Sequence, residues 1–531
     1  MTKNYARVYG AQVSMLTPHL VSVEADIARG MPSFAIIGLP DTGVQEARDR
    51  VSAAIKHAGF QSPKSGPKKI IIALAPANLK KEGSLFDLPI ALSYLLAMDE
   101  IRFDPEPYVF IGELTLDGML NPVRGILPLA ALAQKLGKRA LFVPKENARE
   151  AALVPGIEVY GAVSLLQIIK HLDEKSAEAG TGESFEFSGN EQRLHGPATL
   201  IPVAKTALAI QPPESSFAFE DIRGQHGAKR AAIIAAAGSH NLGLTGPPGT
   251  GKTMLARAIA TILPPLSFEQ ALEVNGIHSI AGALLGDLVT RPPIRSPHHT
   301  SSYVSIVGGG ASPRPGEATL AHRGVLFLDE FPEFDRRVIE ALRQPLEERT
   351  ISISRSKGSA LFPAQFILIA AMNPCPCGNW GHPKIACVCT QHALAQYRRK
   401  ISGPIADRID LWSTMGPVAL ADLNRRTGGN SETCAASEQV RRAREIQRKR
   451  FGTPSKVNSD LSPRDLDELI PLQSPARAAL QEFGARFNLS PRSYHRLLKI
   501  ARTIADMEAS TDVTPQHVLE ALQYRRDEET R

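Results

Sequence analysis

The chain of 531 residues has no hydrophobic run that approaches the roughly eighteen residues needed to span a bilayer. Its first ten residues, MTKNYARVYG, contain no apolar core of the kind that a signal peptide has. These two absences argue against a membrane protein and against a secreted one. We therefore expect a cytoplasmic protein with no membrane partner.

Cysteine is scarce, with five residues in the whole chain, and four of them lie between positions 375 and 389. An odd, clustered set argues against a secreted disulfide framework and favours metal binding. The net charge of +7 permits a polyanionic partner without demonstrating one. A hydrophobic content of 43% and a charged content of 22% are typical of globular proteins, and the length predicts roughly two to four domains.

A glycine-rich loop between a short apolar run and a helical pattern is the strongest motif. Gly246, Gly251, Lys252 and Thr253 match G-x-x-x-x-G-K-[ST], in which glycines let backbone N–H groups wrap a phosphate. The lysine of such a loop reaches the β- and γ-phosphates, the threonine holds Mg²⁺, and the next helix directs its positive end at the phosphates. The predicted ATP and Mg²⁺ site comprises Gly246, Pro247, Pro248, Gly249, Thr250, Gly251, Lys252 and Thr253.

Two acidic residues follow an apolar strand pattern about 75 residues after this loop. Gly324-Val-Leu-Phe-Leu predicts a buried strand that ends at Asp329 and Glu330. Asp329 suits the Mg²⁺ shell. Glu330 suits the general base that activates the water attacking the γ-phosphate.

These segments together resemble AAA+ ATPases. Phe219-Glu-Asp-Ile-Arg-Gly-Gln is similar to the segment that enters such a domain. A third apolar strand ends in Asn373, where similar AAA+ proteins place a polar sensor that touches the γ-phosphate and the lytic water. The alternative for Asn373 is an interior amide with a local hydrogen bond. The resemblance implies an α/β P-loop domain, which we place at residues 216–430.

Two arginines are assigned through resemblance. The segment GPIADRIDL, which contains Arg408, resembles the part of MCM-type and magnesium-chelatase-type ATPases that carries an arginine finger. Because a neighbouring subunit supplies such a finger to the phosphoryl oxygens, it implies an oligomer, here a hexameric ring. Arg492 resembles the second sensor arginine, which reaches the nucleotide from the helical lid. For Arg408 the competing candidates are Arg398 and Arg399, and a surface salt bridge is the alternative. For Arg492 the competing candidate is Arg496.

A predicted hairpin carries two cationic residues at its tip. Residues 350–357 alternate like a strand, turn near Gly358 and return as residues 360–366, which places Arg355 and Lys357 at the turn. In similar ring helicases such a hairpin points into the pore and grips nucleic-acid phosphates through charge alone. An ordinary solvated turn is the alternative. The insertion at Arg295–His299 and the basic helix at Arg441–Arg450 are the next candidates for DNA contact.

The clustered cysteines form two C-x-C pairs, Cys375 with Cys377 and Cys387 with Cys389. Four thiolates this close can form a closed tetrahedral zinc site, which would be structural. The single residue between the cysteines of each pair departs from the usual spacing of roughly two to four. A reduced, metal-free cluster is therefore the alternative, and His382 is a substitute ligand.

The first 172 residues alternate strand and helix patterns, which predicts an α/β or α+β layer fold. The segments KEGSLFDLP and GELTLDGMLNPVRG resemble the proteolytic domain of Lon proteases. Lon uses a Ser–Lys dyad, in which the amine activates the hydroxyl. Here Leu85 and Leu129 take the places of that serine and lysine, with Ser84 one position early. We therefore predict a Lon-like α+β domain at residues 1–172 that has lost proteolytic activity.

The remaining regions are a linker and a helical end. Asp173 to Gly196 has few large apolar residues, which predicts a flexible linker over residues 173–215, with a partly ordered surface loop as the alternative. Helical spacing of apolar residues, such as Leu497, Ala501 and Ile504, predicts that residues 431–531 are all helix. A small helical bundle after a P-loop domain resembles the AAA+ lid.

Together these features cover nearly the whole chain, which is identified as a member of the ComM/YifB family of magnesium-chelatase-like AAA+ proteins. The family implies a hexameric, ATP-driven DNA helicase that promotes branch migration when single-stranded DNA is integrated during natural transformation. Its partners would be further copies of the chain, single-stranded or branched DNA, and recombination proteins. Two other functions stay open: a metal-insertion chaperone of the magnesium chelatase type, and an ATP-dependent Lon-like protease.

Overall fold

The computed structural model describes residues 4–14, 16–173, 199–206, 217–284, 288–310, 314–355, 358–418, 431–470, 472, 474–486 and 489–525. Its contacts divide the chain into two units, Met1–Leu208 with Asn275–Leu288, and Ala209–Val274 with Val289–Arg531. Parallel sheets, antiparallel strands and helices all occur, which agrees with the predicted α/β class.

The first unit contains a four-stranded sheet built on alternating apolar residues. In the long strand Thr17–Arg29, Val21, Val23, Ala25 and Ile27 are buried, because successive side chains of a strand point to opposite faces. The strands Lys68–Ala75 and Ser33–Ile37 pair in parallel, and the other neighbouring strands pair antiparallel. In spatial order the strands are Tyr5–Ser14, Thr17–Arg29, Lys68–Ala75 and Ser33–Ile37. The helices that pack on this sheet include Thr42–His57, Asp87–Ala97 and Ile126–Lys135.

A second sheet of the first unit is parallel and alternates with helices. Its strands are Tyr108–Phe110, Ala140–Pro144 and Glu158–Ala162. Its helices are Ile126–Lys135, Lys145–Ala151 and Leu165–Leu172. A short antiparallel ribbon joins Glu113–Leu114 to Leu120–Asn121. These alternating strands and helices agree with the layer fold predicted for the first 172 residues.

Part of the predicted linker forms backbone hydrogen bonds with the first unit. The N–H of Val203 donates to the carbonyl of Val159 at 2.8 Å, and the N–H of Thr206 donates to Ala152 at 3.2 Å. Leu200 is buried in the same core. The rest of the linker, residues 174–198 and 207–215, lies outside the described residues. Flexibility of the linker therefore stays a prediction.

The second unit is built on a five-stranded, wholly parallel sheet. In spatial order the strands are Ile294–Arg295, Val325–Leu328, Ile367–Met372, Leu242–Thr245 and Leu411–Thr414. The three central strands are buried along their whole length, as their continuous apolar runs predict. Because the carboxyl ends of parallel strands share one edge, the segments that follow these three strands meet there.

Helices and short ribbons surround this sheet. The helices before residue 420 are His226–Gly238, Lys252–Ile262, Phe268–Ala281, Tyr303–Val307, Glu317–Leu320, Arg336–Ala341, Arg343–Glu348, Gln391–Arg399 and Gly403–Ala406. The ribbons pair Gly308–Gly309 with Arg314–Pro315, and Thr350–Arg355 with Gly358–Pro363. The 3₁₀ turns are Phe219–Asp221, Phe331–Glu333 and Asn458–Asp460. From Asn275 onward, the helix Phe268–Ala281 belongs to the first unit.

The C-terminal region is helical, as predicted. Its helices are Ser431–Phe451, Pro463–Leu469, Ser474–Arg486, Pro491–Met507 and Pro515–Gln523. They share one buried core with the parallel sheet, in which Val440 and Ile504 belong to the same cluster as Leu242. An ion pair between Lys229 and Glu432, with Nζ and Oε1 2.8 Å apart, joins the same two regions. The boundary at residue 430 stays a prediction.

Candidate active site

The glycine-rich loop connects the buried strand Leu242–Thr245 to the helix Lys252–Ile262, which is the predicted context. Gly251 has φ +91°, a conformation that glycine adopts without strain. At Gly246, a Cβ atom would lie 2.3 Å from the carbonyl oxygen of Met415, so no larger residue fits there. The loop is therefore shaped by its glycines at the carboxyl edge of the sheet, where the helix begins.

Lys252 lies inside the curl of this loop and is 8% exposed. Its Nζ donates to the carbonyls of Gly246 at 2.6 Å and Pro247 at 2.9 Å. It also donates to Oδ1 of Asn373 at 3.2 Å. Burial lowers the pKa of Lys252. The predicted phosphate-binding lysine and the predicted sensor amide are thus in direct contact.

The two groups predicted to hold Mg²⁺ also meet. The hydroxyl of Thr253 donates to Oδ2 of Asp329 at 2.6 Å. A hydroxyl and a carboxylate are both hard oxygen ligands, which suit Mg²⁺. The structure therefore brings Lys252, Thr253, Asp329 and Asn373 together from three neighbouring strand ends.

Glu330 stands at the edge of this group and has a partner that sequence reasoning missed. Its backbone N–H donates to Oδ1 of Asp329 at 2.9 Å, and its side chain is 55% exposed. Its Oε2 lies 3.1 Å from Nδ1 of His299. The ring of His299 lies against that of His298, with centroids 4.1 Å apart. The insertion that we considered only for DNA contact therefore supplies a side chain to the predicted general base.

The two predicted arginines share one carboxylate. Arg408 pairs with Glu347 and donates to the carbonyl of Pro404 at 2.7 Å. Arg492 donates to Oε1 of Glu347 at 2.8 Å. Among the competing candidates, Arg398 lies 5.6 Å from the ring centroid of Trp380, and Arg496 donates to the carbonyl of Ile409 at 3.1 Å. Glu347 was absent from the sequence-based site.

The four cysteine sulfurs converge. The Sγ atom of Cys375 lies 3.4 Å from that of Cys377 and 3.7 Å from that of Cys387, and the latter two are 3.5 Å apart. With Cys389 included, the ligand atoms all lie within 4.8 Å of one another. Tetrahedral zinc with Zn–S bonds of about 2.3 Å requires sulfurs about 3.8 Å apart. The separations are too long for a disulfide bond of about 2.05 Å, so the four thiols fit a metal site.

Backbone groups and burial shift the pKa values of two of these thiols in opposite directions. The N–H groups of Asn379 and Val388 hold the pKa of the Cys377 thiol down at about 6. Burial raises the pKa of Cys375, which is fully enclosed. The Nδ1 atom of His382 accepts from the N–H of Ile385 at 3.0 Å, and His382 is not among the clustered ligands.

The predicted hairpin exists. Thr350–Arg355 pairs antiparallel with Gly358–Pro363, and Arg355 lies opposite Gly358. Ile351 and Phe362 are buried on one face, whereas Leu361 is 63% exposed on the other. Lys357 and the side chain of Arg355 lie outside the described residues.

Comparison with known proteins shows the family to which this chain belongs. Family models match residues 218–423 ("Magnesium chelatase, subunit ChlI"), 23–147 ("Subunit ChlI of Mg-chelatase") and 430–525 ("Magnesium chelatase, subunit ChlI C-terminal"). The "Competence protein ComM" of Haemophilus influenzae is 39% identical over 525 residues, which cover 98% of this chain and 97% of the relative. The "Uncharacterized protein YifB" of Escherichia coli is 40% identical over 509 residues, which cover 95% of this chain and 94% of the relative. This chain belongs to the magnesium-chelatase-like ComM/YifB family.

Membership in the ComM/YifB family agrees with the phosphate loop and acidic residues, and it indicates an AAA+ ATPase that uses ATP and Mg²⁺. A more distant relative is the "Maternal DNA replication licensing factor mcm6" of Xenopus tropicalis. It is 23% identical over 299 residues, which cover 54% of this chain and 32% of the relative. Among the described residues, no helix has the length and apolar character that crossing a membrane requires.

The contacts in the first unit of this ComM/YifB protein give no support to a protease. The hydroxyl of Ser84 is bonded to the carboxylate of Glu113. Leu129 is completely buried on its helix. The amine of the nearby Lys81 is enclosed and donates to the carbonyl of Pro76. Among the described residues, no hydrogen bond joins a lysine amine to Ser84.

Proposed function

We propose that this chain is an ATP-hydrolysing DNA motor that assembles as a hexameric ring in the cytoplasm. It would drive branch migration while transforming DNA is integrated by homologous recombination. The observation that carries the proposal is the meeting of Lys252, Thr253, Asp329 and Asn373 at one sheet edge. The name of the Haemophilus relative, which covers almost the whole chain, supports a role in competence.

The nucleotide chemistry follows from the positions of these side chains. The loop N–H groups and Lys252 would bind the phosphates, and Thr253 and Asp329 would hold Mg²⁺. When bound, Mg²⁺ neutralises negative charge that develops on the phosphate oxygens. Glu330 would accept the proton of the attacking water, while the Asn373 amide orients that water beside the γ-phosphate.

His299 is a positioning residue in this mechanism. Its imidazole lies 3.1 Å from Oε2 of Glu330, so that oxygen can take a proton from water only after the two groups separate. The neighbouring helix exposes Tyr303 and Val304 by 45% and 44%. A ligand that moves this insertion would release Glu330 and speed hydrolysis.

Arg408 would act on the nucleotide of a neighbouring subunit, and Arg492 would reach a bound nucleotide from the helical lid. The proposal is supported by their shared contact with Glu347, which holds both guanidinium groups at one place. An arginine supplied across an interface stabilises charge on the transferred phosphoryl group. Head-to-tail contacts of this kind form a ring when the rotation between neighbouring subunits closes.

The hairpin at Thr350–Pro363 would contact DNA through Arg355 and Lys357. Its second strand is followed directly by the strand Ile367–Met372, which ends at Asn373. A movement of Asn373 on loss of the γ-phosphate would therefore be transmitted to the hairpin through a short, rigid stretch of backbone. Contacts of Lys and Arg with phosphates need no base recognition, which suits a motor that moves along any sequence.

The four cysteines would hold a structural Zn²⁺ ion. Four thiolates leave no coordination position open, so the ion would stabilise the fold of residues 375–389 and would not act on a substrate. The sulfur separations support this ligand set.

A metal-insertion chaperone is the second candidate, because all three family models are described as magnesium chelatase subunits. The two functions differ in their response to DNA. Purified protein should hydrolyse ATP faster when single-stranded or forked DNA is added if the chain is a DNA motor. ATP turnover that no DNA structure changes would favour the chaperone.

A further inference from the structure

The cysteine cluster begins two residues after the predicted sensor. Asn373 is followed by Pro374 and then Cys375, whose side chain is fully buried. The N–H of Trp380 donates to Sγ of Cys375 at 3.3 Å, which fixes the sulfur within the loop. A metal bound to Cys375 would therefore anchor the backbone at Asn373, and Asn373 in turn accepts from Lys252.

The cysteine loop also touches the phosphate loop directly. At Gly378, φ is +80° and a Cβ atom would lie 2.6 Å from Cδ of Pro248. The backbone of Gly378 is thus packed against the proline ring at the turn of the phosphate loop. Its N–H donates to the carbonyl of Cys375 at 3.0 Å, which ties this contact to a metal ligand.

The far end of the cysteine loop returns to the sensor. Cys389 precedes Thr390, whose side chain accepts from the N–H of Ala393 and begins the helix Gln391–Arg399. On this helix, Tyr397 donates its hydroxyl to the carbonyl of Asn373 at 3.2 Å. Burial raises the pKa of Tyr397, so the hydroxyl keeps its proton. Both ends of the cysteine loop are therefore linked to Asn373.

We propose that a metal ion on the four cysteines fixes the phosphate loop and Asn373, so that metal binding and ATP binding strengthen each other. This inference rests on the proposed ATP site and adds a regulation of it. The ligand is a thiophilic divalent cation, Zn²⁺ being the natural choice for four thiolates. Loss of the ion would release Gly378 from Pro248 and loosen Asn373, which would weaken ATP binding without any change in the nucleotide-binding residues.

Because coupling between two binding sites is reciprocal, it can be measured through the affinity for ATP or through the affinity for the metal. If the metal raises the affinity for ATP by some factor, ATP must raise the affinity for the metal by the same factor. We expect a factor of at least about fivefold, which is the lower end of typical coupling between sites. The full chain with Glu330→Gln serves for these measurements, because ATP then stays intact.

The first experiment compares ATP affinity, measured with a fluorescent ATP analogue, for zinc-loaded protein and for protein stripped under reducing conditions. The second follows zinc transfer to a chromophoric chelator with and without Mg·ATP. Circular dichroism shows whether the stripped protein stays folded. If it unfolds, the zinc-transfer measurement decides alone, because it begins from loaded protein.

Two glycine variants separate contact from backbone strain. Gly378→Ala places a methyl group against Pro248, whereas Gly381→Ala lies in the same loop with a similar φ of +74° and nothing within 4 Å. Both should bind one zinc per chain. Gly378→Ala should lose most of the coupling, and Gly381→Ala should keep it.

Four results would overturn the inference. The first is that the protein does not bind zinc, and the second is that zinc-loaded and stripped protein, both folded, bind ATP with equal affinity. The third is that ATP does not change zinc transfer, and the fourth is that the two glycine variants show equal coupling. Failure of the proposed motor function would look different. It would appear as ATPase activity indifferent to DNA, while the mutual effect of zinc and ATP persisted.

Discussion

Arg408 and Arg492 are bonded to the same carboxylate, that of Glu347. The two arginines come from distant parts of the chain, one beside the parallel sheet and one at the start of the helix Pro491–Met507. Glu347 lies on the helix Arg343–Glu348 and keeps both guanidinium groups together. In the ring that we propose, this cationic pair would act on the phosphates of a bound nucleotide.

We expect Arg408→Ala to be inactive alone and to regain activity when it is mixed with Lys252→Ala. In mixed rings, roughly a quarter of the interfaces would combine an intact lysine with an intact arginine from the neighbour. ATPase activity after subunit exchange is the measurement. Mixing Lys252→Ala with Glu330→Gln is the control, because both changes affect the same site and no interface becomes complete. Equal activity in the two mixtures, with ring assembly verified, would rule out a finger acting across the interface.

Glu330→Gln should leave ATP binding largely intact and slow turnover by at least ~100-fold, because the base is lost. Lys252→Ala should instead weaken nucleotide binding, since it removes the charge inside the loop. Glu333→Gln is the matched control, since this nearby carboxylate pairs with Lys400. Steady-state turnover and equilibrium nucleotide binding separate these effects. Rapid hydrolysis by Glu330→Gln would remove the assignment of the base.

His299→Ala should raise ATP turnover in the absence of DNA by about three- to tenfold, the range expected for one hydrogen bond. The reason is that the carboxylate of Glu330 loses the imidazole that restrains it. Stimulation by DNA should shrink in proportion. His298→Ala is the comparison variant, because Nδ1 of His298 lies 2.8 Å from the hydroxyl of Thr300. A fall in basal turnover of His299→Ala would indicate that the imidazole assists hydrolysis instead.

The hairpin variant Arg355→Ala with Lys357→Ala should bind forked DNA more weakly, with a salt slope reduced by roughly one to two units for each engaged pair of protomers. Its unstimulated ATPase should survive, whereas DNA stimulation and junction migration should disappear together. Arg441→Ala with Arg442→Ala removes the same charge from the exposed face of the basic helix. If only this second variant loses DNA binding, the contact lies on the helix and the hairpin is a surface turn.

The convergence of these side chains could be predicted from the sequence because each part is a local pattern. Buried strands end at Thr245, Leu328 and Met372. Asp329 and Asn373 follow the last two directly, and the phosphate loop that leads to Lys252 follows the first. Parallel strands bring such residues to one edge without further information. For this reason the contacts of Lys252 with Asn373, and of Thr253 with Asp329, agree with the sequence-based site.

The missed relationships join irregular segments that no periodic pattern places. His299 lies in a loop after a two-residue strand, and nothing in its neighbourhood indicates that it reaches Glu330. The packing of Gly378 on Pro248 depends on how the cysteine loop folds back. Within the first unit, Ser279 accepts from the N–H of Gly125 at 2.9 Å, although we had assigned Ser279 to the ATPase region. Such contacts depend on tertiary packing, which local sequence does not encode.

The most direct test of the account is migration of a synthetic three- or four-way DNA junction by the purified, zinc-loaded protein with Mg·ATP. We predict that the wild-type chain converts the junction to products only when ATP is hydrolysed, and that Glu330→Gln binds the junction and leaves it unmoved. A wild-type protein that assembles, hydrolyses ATP and binds the junction, yet leaves it where it was, would contradict the proposal that this chain is a branch-migration motor.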